Sequence, residues 1–254
     1  LWESEQGSVP EMSVPNLPIA GLHGLAGELA HLIYGRPSEK LWLCGVTGTN
    51  GKTSVSQWIA QATKLLGRKC GVIGTLGNGF PGALAESANT TPDAISIHST
   101  LAGMLESGAK ACAMEVSSIG LDQGRGAGLH FATAVFTNLT RDHLEYHGSM
   151  ERYAAAKARL FAAPGLRSIV INLDDTYGAQ LYAELADKGL RRIGYTLTSA
   201  TQLHDPADEI LFAENLRIDG NGLAFKLRMT QGDINVSAPL YGRFNAANLL
   251  AVFG

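Results

Sequence analysis

Cysteine is scarce, three in 254 residues, and its placing excludes two kinds of chemistry. Cys44, Cys70 and Cys112 fall singly in three apolar runs, an odd number without paired spacing. A disulfide frame and a cysteine metal site are thereby excluded, and reduced, buried thiols in a cytoplasmic protein are expected. An excess of charge of one sign is also missing. Lys and Arg number 20 against 23 Asp and Glu, a formal charge of −3, so no basic face for nucleic acid is indicated. No apolar run approaches the roughly 18 residues of a membrane span, and no signal-peptide pattern stands at the start, so no membrane partner is expected. Internal repeats and low-complexity tracts are absent.

What is present is an alternation of strand and helix patterns. The length suits one large domain, or one domain with part of a second. Residues 1–40 differ from the rest: Pro10, Pro15 and Pro18 punctuate a loose stretch, and Leu22 to Ile33 reads as one helix before Gly35-Arg36-Pro37. This segment reads as the tail of a preceding domain and a linker. From Leu41 onward, strands are expected near 41–46, 70–75, 110–116, 131–138, 167–172 and 191–195. Helices are expected near 52–66, 93–107, 149–161 and 176–188. This predicts an α/β fold, a mostly parallel sheet flanked by helices, with ligands at the carboxyl ends of the strands. After Asp208 the pattern turns to short strands, 209–218, 223–229 and 233–239, with Asn221-Gly222 as a hairpin signal. A small antiparallel sheet attached to the main one is expected there. The last residues, from Phe244-Asn245-Ala246-Ala247-Asn248, read as a helix just begun, and the sequence is therefore expected to be a fragment whose main domain spans 41–254.

The decisive string is Thr47-Gly48-Thr49-Asn50-Gly51-Lys52-Thr53, just after the apolar run Leu41 to Val46. A helical pattern follows from Ser54, with Val55, Trp58, Ile59, Ala62, Leu65 and Leu66 at helical spacing. Strand, glycine turn, Gly-Lys-Thr and helix is the context of a phosphate-binding loop. Backbone N–H groups and the positive helix end then hold an anion, Lys52 reaches its phosphates, and the Thr53 hydroxyl can ligate Mg²⁺. Gly48, Thr49, Asn50, Gly51 and Ser54 complete this candidate ATP site. One departure stands out: the common motif has Gly where this chain has Val46.

Four further clusters fall at expected strand ends, and each alone admits a plainer reading. Asn89-Thr90-Thr91-Pro92-Asp93 suits a helix start, with Pro92 in the first turn and the preceding polar residues as its cap. Glu115-Val116-Ser117-Ser118 ends a buried run and is followed by Gln123 and Arg125. Glu115 is well placed to take a Mg²⁺, or else is a salt-bridged strand end. His143 in Asn138-Leu139-Thr140-Arg141-Asp142-His143 is a metal-ligand candidate or a surface histidine. Lys157, on a helix, would ordinarily be a solvated charge.

Together the clusters resemble the Mur ligase family, and within it the branch that adds the third residue of the peptidoglycan stem peptide. The resemblance runs from about Leu41 to the end. It is carried by Gly45 to Thr53, Asn89 to Asp93, Glu115 to Leu121, Gln123-Gly124-Arg125, Thr137 to His147, Ala155-Ala156-Lys157 and Gly242 to Asn248, seven strings in order. The family spaces its loop glycines as this chain does, which accounts for Val46. Ile119 stands where many relatives have His. The resemblance implies ATP-dependent amide formation on UDP-N-acetylmuramoyl-L-alanyl-D-glutamate through an acyl phosphate, with diaminopimelate or lysine as the incoming amino acid. It implies catalytic roles for Lys52, Glu115, His143 and Lys157, with Lys157 carbamylated by CO₂ and, with His143, holding a second Mg²⁺ beside the one at Thr53 and Glu115. It implies that Asn89, Thr90, Thr91, Ser117, Gln123 and Arg125 bind the sugar-dipeptide and that Asn245 lies near the adenine. It further implies an N-terminal domain that grips the uridine nucleotide and a C-terminal domain for the amino acid, of which this sequence holds only the tail of the first. Two rivals stay open: a folylpolyglutamate synthetase, which shares the phosphate loop and lysine helix, and a non-catalytic nucleotide-binding module.

Overall fold

The computed structural model describes residues 2–3, 13–198 and 209–254, so Pro10 lies outside the described residues. A short parallel pair, β1 (Trp2–Glu3) and β2 (Pro18–Ile19), leads into α1 (Leu22–Ile33). The Glu3 carboxylate accepts from the backbone N–H of Gly21 at 2.9 Å and of His23 at 3.3 Å, satisfying free donors at the helix start. One turn, α2 (Pro37–Lys40), follows.

The chain then runs β3 (Trp42–Thr47), α3 (Lys52–Leu65), β4 (Cys70–Gly74), β5 (Gly77–Phe80), β6 (Ala83–Ala85), α4 (Ala94–Glu106), β7 (Ala111–Glu115) and α5 (Ser118–Asp122). It continues through β8 (Thr133–Phe136), α6 (Leu144–His147), α7 (Met150–Ala158), β9 (Ser168–Asn172), α8 (Thr176–Glu184), β10 (Arg191–Thr196), β11 (Glu209–Asp219), β12 (Gly222–Met229), β13 (Gly232–Ala238) and α9 (Arg243–Phe253). Among the described residues eleven of these strands form one sheet, in the order β13-β12-β11-β10-β9-β8-β3-β7-β4-β5-β6. The seven strands from β11 to β4 are mutually parallel. The strands β3, β4, β7 and β8 are buried along nearly their whole length, as a parallel sheet covered on both faces requires.

Among the described residues the two largest apolar cores lie on the two faces. Leu43, Ile97, Leu101, Met114, Phe136 and Leu160 fill the side covered by α4 and the end of α7. Val46, Val55, Ile59, Val135, Leu227 and Leu250 fill the side covered by α3 and α9. The strands β7 and β8 are successive in sequence yet flank β3 on opposite sides. The crevice above the carboxyl end of β3 is the place where such a sheet binds ligands.

The expected antiparallel strands exist, but as part of this sheet: β11 pairs parallel with β10, and β12 and β13 continue the sheet antiparallel. A second antiparallel extension, β5 and β6, closes the other edge and has no strand-like sequence pattern. Asp219 pairs with Gly222, so the hairpin turn is Gly220-Asn221, one residue before the expected dipeptide. At α4 the cap is Asp93, whose carboxylate accepts from Ser96 N at 2.9 Å; Pro92 therefore precedes the cap instead of opening the helix. Leu65 and Leu66, placed by spacing on the apolar face of α3, are exposed beyond the sheet.

Candidate functional site

Gly48 and Gly51 let the loop after β3 fold tightly enough to hold an anion. Gly48 has φ +144°, and a Cβ there would collide with Thr137 Oγ1. Gly51, at φ +88°, caps α3 without a side chain, and a Cβ would meet Asn248 Oδ1. The first N–H groups of α3 are thus free of a side-chain cap, and with the helix dipole they form an anion site. The strand β8 and the loop after it hold this turn from behind. Thr137 Oγ1 donates to Asn50 O at 2.6 Å, Asn50 N donates to Asn138 Oδ1 at 3.0 Å, and Thr49 N donates to Asn138 O at 2.8 Å.

Glu115, at the end of β7, is fully buried, and its partners are hydroxyl and amide donors. Thr53 Oγ1 donates to its Oε2 at 2.8 Å, Thr75 Oγ1 to the same oxygen at 3.1 Å, and Thr75 N to Oε1 at 2.9 Å. Among the described residues no cation pairs with it, so the salt-bridged reading falls. Thr75 was not singled out from sequence; a polar residue directly past the apolar run 70–74 was the available signal.

Lys157 is 1% exposed, which removes the reading of a solvated charge. Its Nζ donates to Gly48 O at 2.8 Å and lies 4.3 Å from the centre of the Tyr153 ring. Lys52 Nζ donates to the same Gly48 oxygen at 3.0 Å and to Thr49 O at 2.8 Å. Two lysines thus converge on one carbonyl. Burial, and after it the neighbouring Lys52 charge, bring the Lys157 amine down to about 7. Burial also lowers Lys52, against the pull of Glu115 and Asp142.

Tyr153 ties these parts together. Its hydroxyl is 3.0 Å from Thr49 Oγ1, and Thr49 Oγ1 also accepts from Thr140 N at 2.9 Å. The rings of His143 and His147 pack against it. His143 has φ +50° at the start of α6, with its ring near Asp142 and Glu145 at 3.6 and 3.7 Å and partly open to solvent. His147 is buried, 3.0 Å from Ser118 Oγ.

The candidate substrate residues gather beside this centre. Thr91 is buried and uses its hydroxyl to join Glu115 O and Ser117 N, at 3.0 and 2.9 Å, so it fixes the strand end. Arg125 donates to Thr91 O at 2.7 Å and to Gln123 Oε1 at 2.6 and 2.9 Å. Thr90 Oγ1 is 3.0 Å from Thr75 Oγ1, Ser117 caps α5, and Asn89 is exposed on the approach. On the other side of the loop a cavity of about 560 Å³ is lined by Gly51, Ser54, Asn138, Asn172, Phe244 and Asn248. Asn245 does not line it; its amide donates to Tyr241 O at 2.8 Å, within its own chain turn. The three cysteines are free and buried, their thiols raised by burial, which leaves no catalytic thiol. Among the described residues no helix is long and apolar enough to cross a membrane.

The chain is similar to curated proteins and to solved structures along nearly its whole length. A UDP-N-acetylmuramoyl-L-alanyl-D-glutamate--2,6-diaminopimelate ligase of Ectopseudomonas mendocina is 52% identical over 238 residues, covering 94% of this chain and 47% of the relative. A solved structure of a ligase of that name superposes with a TM-score of 0.80 at 36% identity, covering 95% of this chain and 49% of the other. The apo form of a folylpolyglutamate synthetase, L. casei FPGS, shares the fold alone, with a TM-score of 0.69 at 17% identity, covering 95% of this chain and 63% of that one. This chain spans about half the length of the curated relatives it matches. Residues 46–254 match the family model of the Mur ligase middle domain, and with this loop, this glutamate and this lysine helix in place the chain belongs to the Mur ligase family.

Proposed function

We propose that this chain is the nucleotide-handling part of a cytoplasmic ligase that uses ATP to join 2,6-diaminopimelate to UDP-N-acetylmuramoyl-L-alanyl-D-glutamate. The observation that carries the reading is the meeting of Lys52, Lys157, Thr53 and the buried Glu115 on one phosphate loop. The names of the curated relatives support the substrate pair. In this reading a substrate carboxylate attacks the γ-phosphorus of ATP, whose bond to the bridging oxygen breaks so that ADP leaves and an acyl phosphate forms; the incoming amine then attacks the acyl carbon, loses a proton and expels phosphate to leave the amide. Two anions approach each other in the first step and repel unless cations stand between them.

The residues supply those cations. The N-terminus of α3 and Lys52 face the phosphates; Lys52 swings from the loop carbonyls it now holds to the anion. Thr53 Oγ1 and Glu115 Oε2 are hard oxygen ligands 2.8 Å apart, the donor set that suits Mg²⁺. Bound there, Mg²⁺ neutralises phosphate charge, as in phosphoryl-transfer sites generally. Thr75 and the Thr91–Arg125 pair keep Glu115 and the end of β7 in place. Lys157 near 7 exposes a free amine at neutral pH, the form that reacts with CO₂; the resulting carbamate and His143 would offer ligands for a second Mg²⁺. Phe244 and Asn248 line the cavity we assign to the adenine, with Asn245 between them on the same helix. Asn89, Thr90, Ser117 and Gln123 edge the path of the sugar-dipeptide. The uridine grip and the amino-acid pocket are assigned to parts of the full-length ligase outside this chain.

The test is phosphate release by the full-length protein from ATP and Mg²⁺. Release that requires the UDP-sugar dipeptide and diaminopimelate together, with lysine a poor substitute, supports the reading. Turnover indifferent to the dipeptide would leave a nucleotide-binding module, and turnover with a folate acceptor would favour the synthetase rival.

A further inference from the structure

A second cluster of metal-ligating side chains lies away from the phosphate loop. It joins α1, α2 and the segment before β8. His31 Nε2 is 3.0 Å from Glu39 Oε1, and His130 Nε2 is 3.7 Å from the same oxygen. One donor atom from each of the three lies within 4.8 Å of the others. We propose that His31, Glu39 and His130 form a binding site for a divalent first-row transition ion, Zn²⁺ fitting best, that fastens the α1–α2 segment to the core.

Two imidazole nitrogens and a carboxylate oxygen are a donor set that zinc prefers and Mg²⁺ does not. A tetrahedral ion with bonds of about 2.0–2.1 Å separates neighbouring ligand atoms by about 3.3 Å, so both measured separations lie close to an edge of that tetrahedron. The fourth position is left for water. Access is open on one side: the His130 and Glu39 side chains are 35% and 36% exposed, whereas His31 is 6% exposed and forms the floor. The rings of His31 and His130 are parallel at 5.2 Å, so a shared ion needs His130 to turn off the stack, which its exposed position before β8 allows. His98 packs edge-on against His31 and is itself held by its Nε2 at 3.1 Å from Ala127 O, so it supports the floor without competing for the ion. Arg36, 4.0 Å from Glu39 and mostly exposed, is the cation an incoming ion displaces. The three ligands come from two helices and a segment of the core, so one ion would cross-link them.

The experiment is a titration of the chelator-stripped chain with Zn²⁺ by calorimetry, and with Co²⁺ by visible absorption, both in excess Mg²⁺ to fill the phosphate-loop site. One ion per chain, a tetrahedral Co²⁺ spectrum and a Zn²⁺-dependent rise in melting temperature are expected. His130→Ala and Glu39→Gln should each weaken binding by more than about 100-fold, beyond the range typical of losing only a supporting partner. Both sites of substitution are partly exposed; metal-free melting curves and His130→Gln check that the fold is intact. Absence of saturable binding, or binding that survives both substitutions, overturns the proposal and leaves a hydrogen-bonded His–Glu cluster.

Discussion

Replacing Lys157 by methionine should make the folded chain more stable while removing the group on which the proposed chemistry depends. An amine held at about 7 against its ordinary 10.5 is about 5 kcal/mol worse off as an ammonium in the folded chain than in water. Methionine fills a similar volume without the charge but gives up the hydrogen bond to Gly48 O and the contact with the Tyr153 ring, so a net gain of about 1–2 kcal/mol is expected at pH 7. The pH dependence has a definite sign. The folded-state value lies below the unfolded one, so between pH 7 and 10.5 the unfolded chain binds more protons and the wild type gains stability as pH rises. The methionine variant lacks that gain, which reaches about 3–4 kcal/mol by pH 10, so its advantage is largest at pH 7 and below and turns into a deficit toward pH 10. Urea denaturation of both proteins in CO₂-free buffer at pH 7 and near pH 10 measures it, and other titrations cancel in the difference. A variant less stable than wild type at pH 7, with a gap that does not change with pH, would refute the reasoning.

Glu115→Gln keeps the shape of the buried side chain but loses its charge, and should weaken Mg²⁺-dependent ADP binding by about 10-fold or more, read by calorimetry with and without Mg²⁺. Gly48→Ala combines positive φ with a collision at Thr137 Oγ1 and should lower stability by about 2 kcal/mol or more, seen as a fall in melting temperature and loss of nucleotide binding. Tyr153→Phe removes only the contact to Thr49 Oγ1 and should cost about 1 kcal/mol in denaturation, with ADP affinity lowered less than for Glu115→Gln.

The strands that carry the site were legible because parallel strands covered on both faces are continuous apolar runs, and Leu41 to Val46 and 111–114 are of that kind. The phosphate loop was legible because glycine, lysine and threonine meet a steric and an electrostatic need at fixed spacing. Burial of Lys157 was not: Ala154, Ala155 and Ala156 mark no strong apolar face, and the amine is covered by the Tyr153 ring and by the loop after β3 that folding brings to it. Thr75 was missed because its partner is 40 residues away in sequence. The strands β5 and β6 were missed because Gly77-Asn78-Gly79 reads as turn, yet pairing with β4 overrides the poor strand propensity. The shift of the hairpin turn to Gly220-Asn221 follows from register, set by the burial of Leu223, Phe225 and Leu227 on one face of β12.

In the proposed ligase reaction Lys157 acts as a neutral amine made into a carboxylate, and three proteins compared side by side test that role. Tripeptide formation by full-length protein is measured for wild type, Lys157→Ala and Lys157→Arg, with and without added short-chain carboxylates, after circular dichroism has shown each variant folded. Loss of turnover in both variants is expected, with partial recovery by carboxylate in the alanine variant alone, because a guanidinium keeps its charge and fills the space. Near-normal turnover in Lys157→Ala without any addition would contradict it.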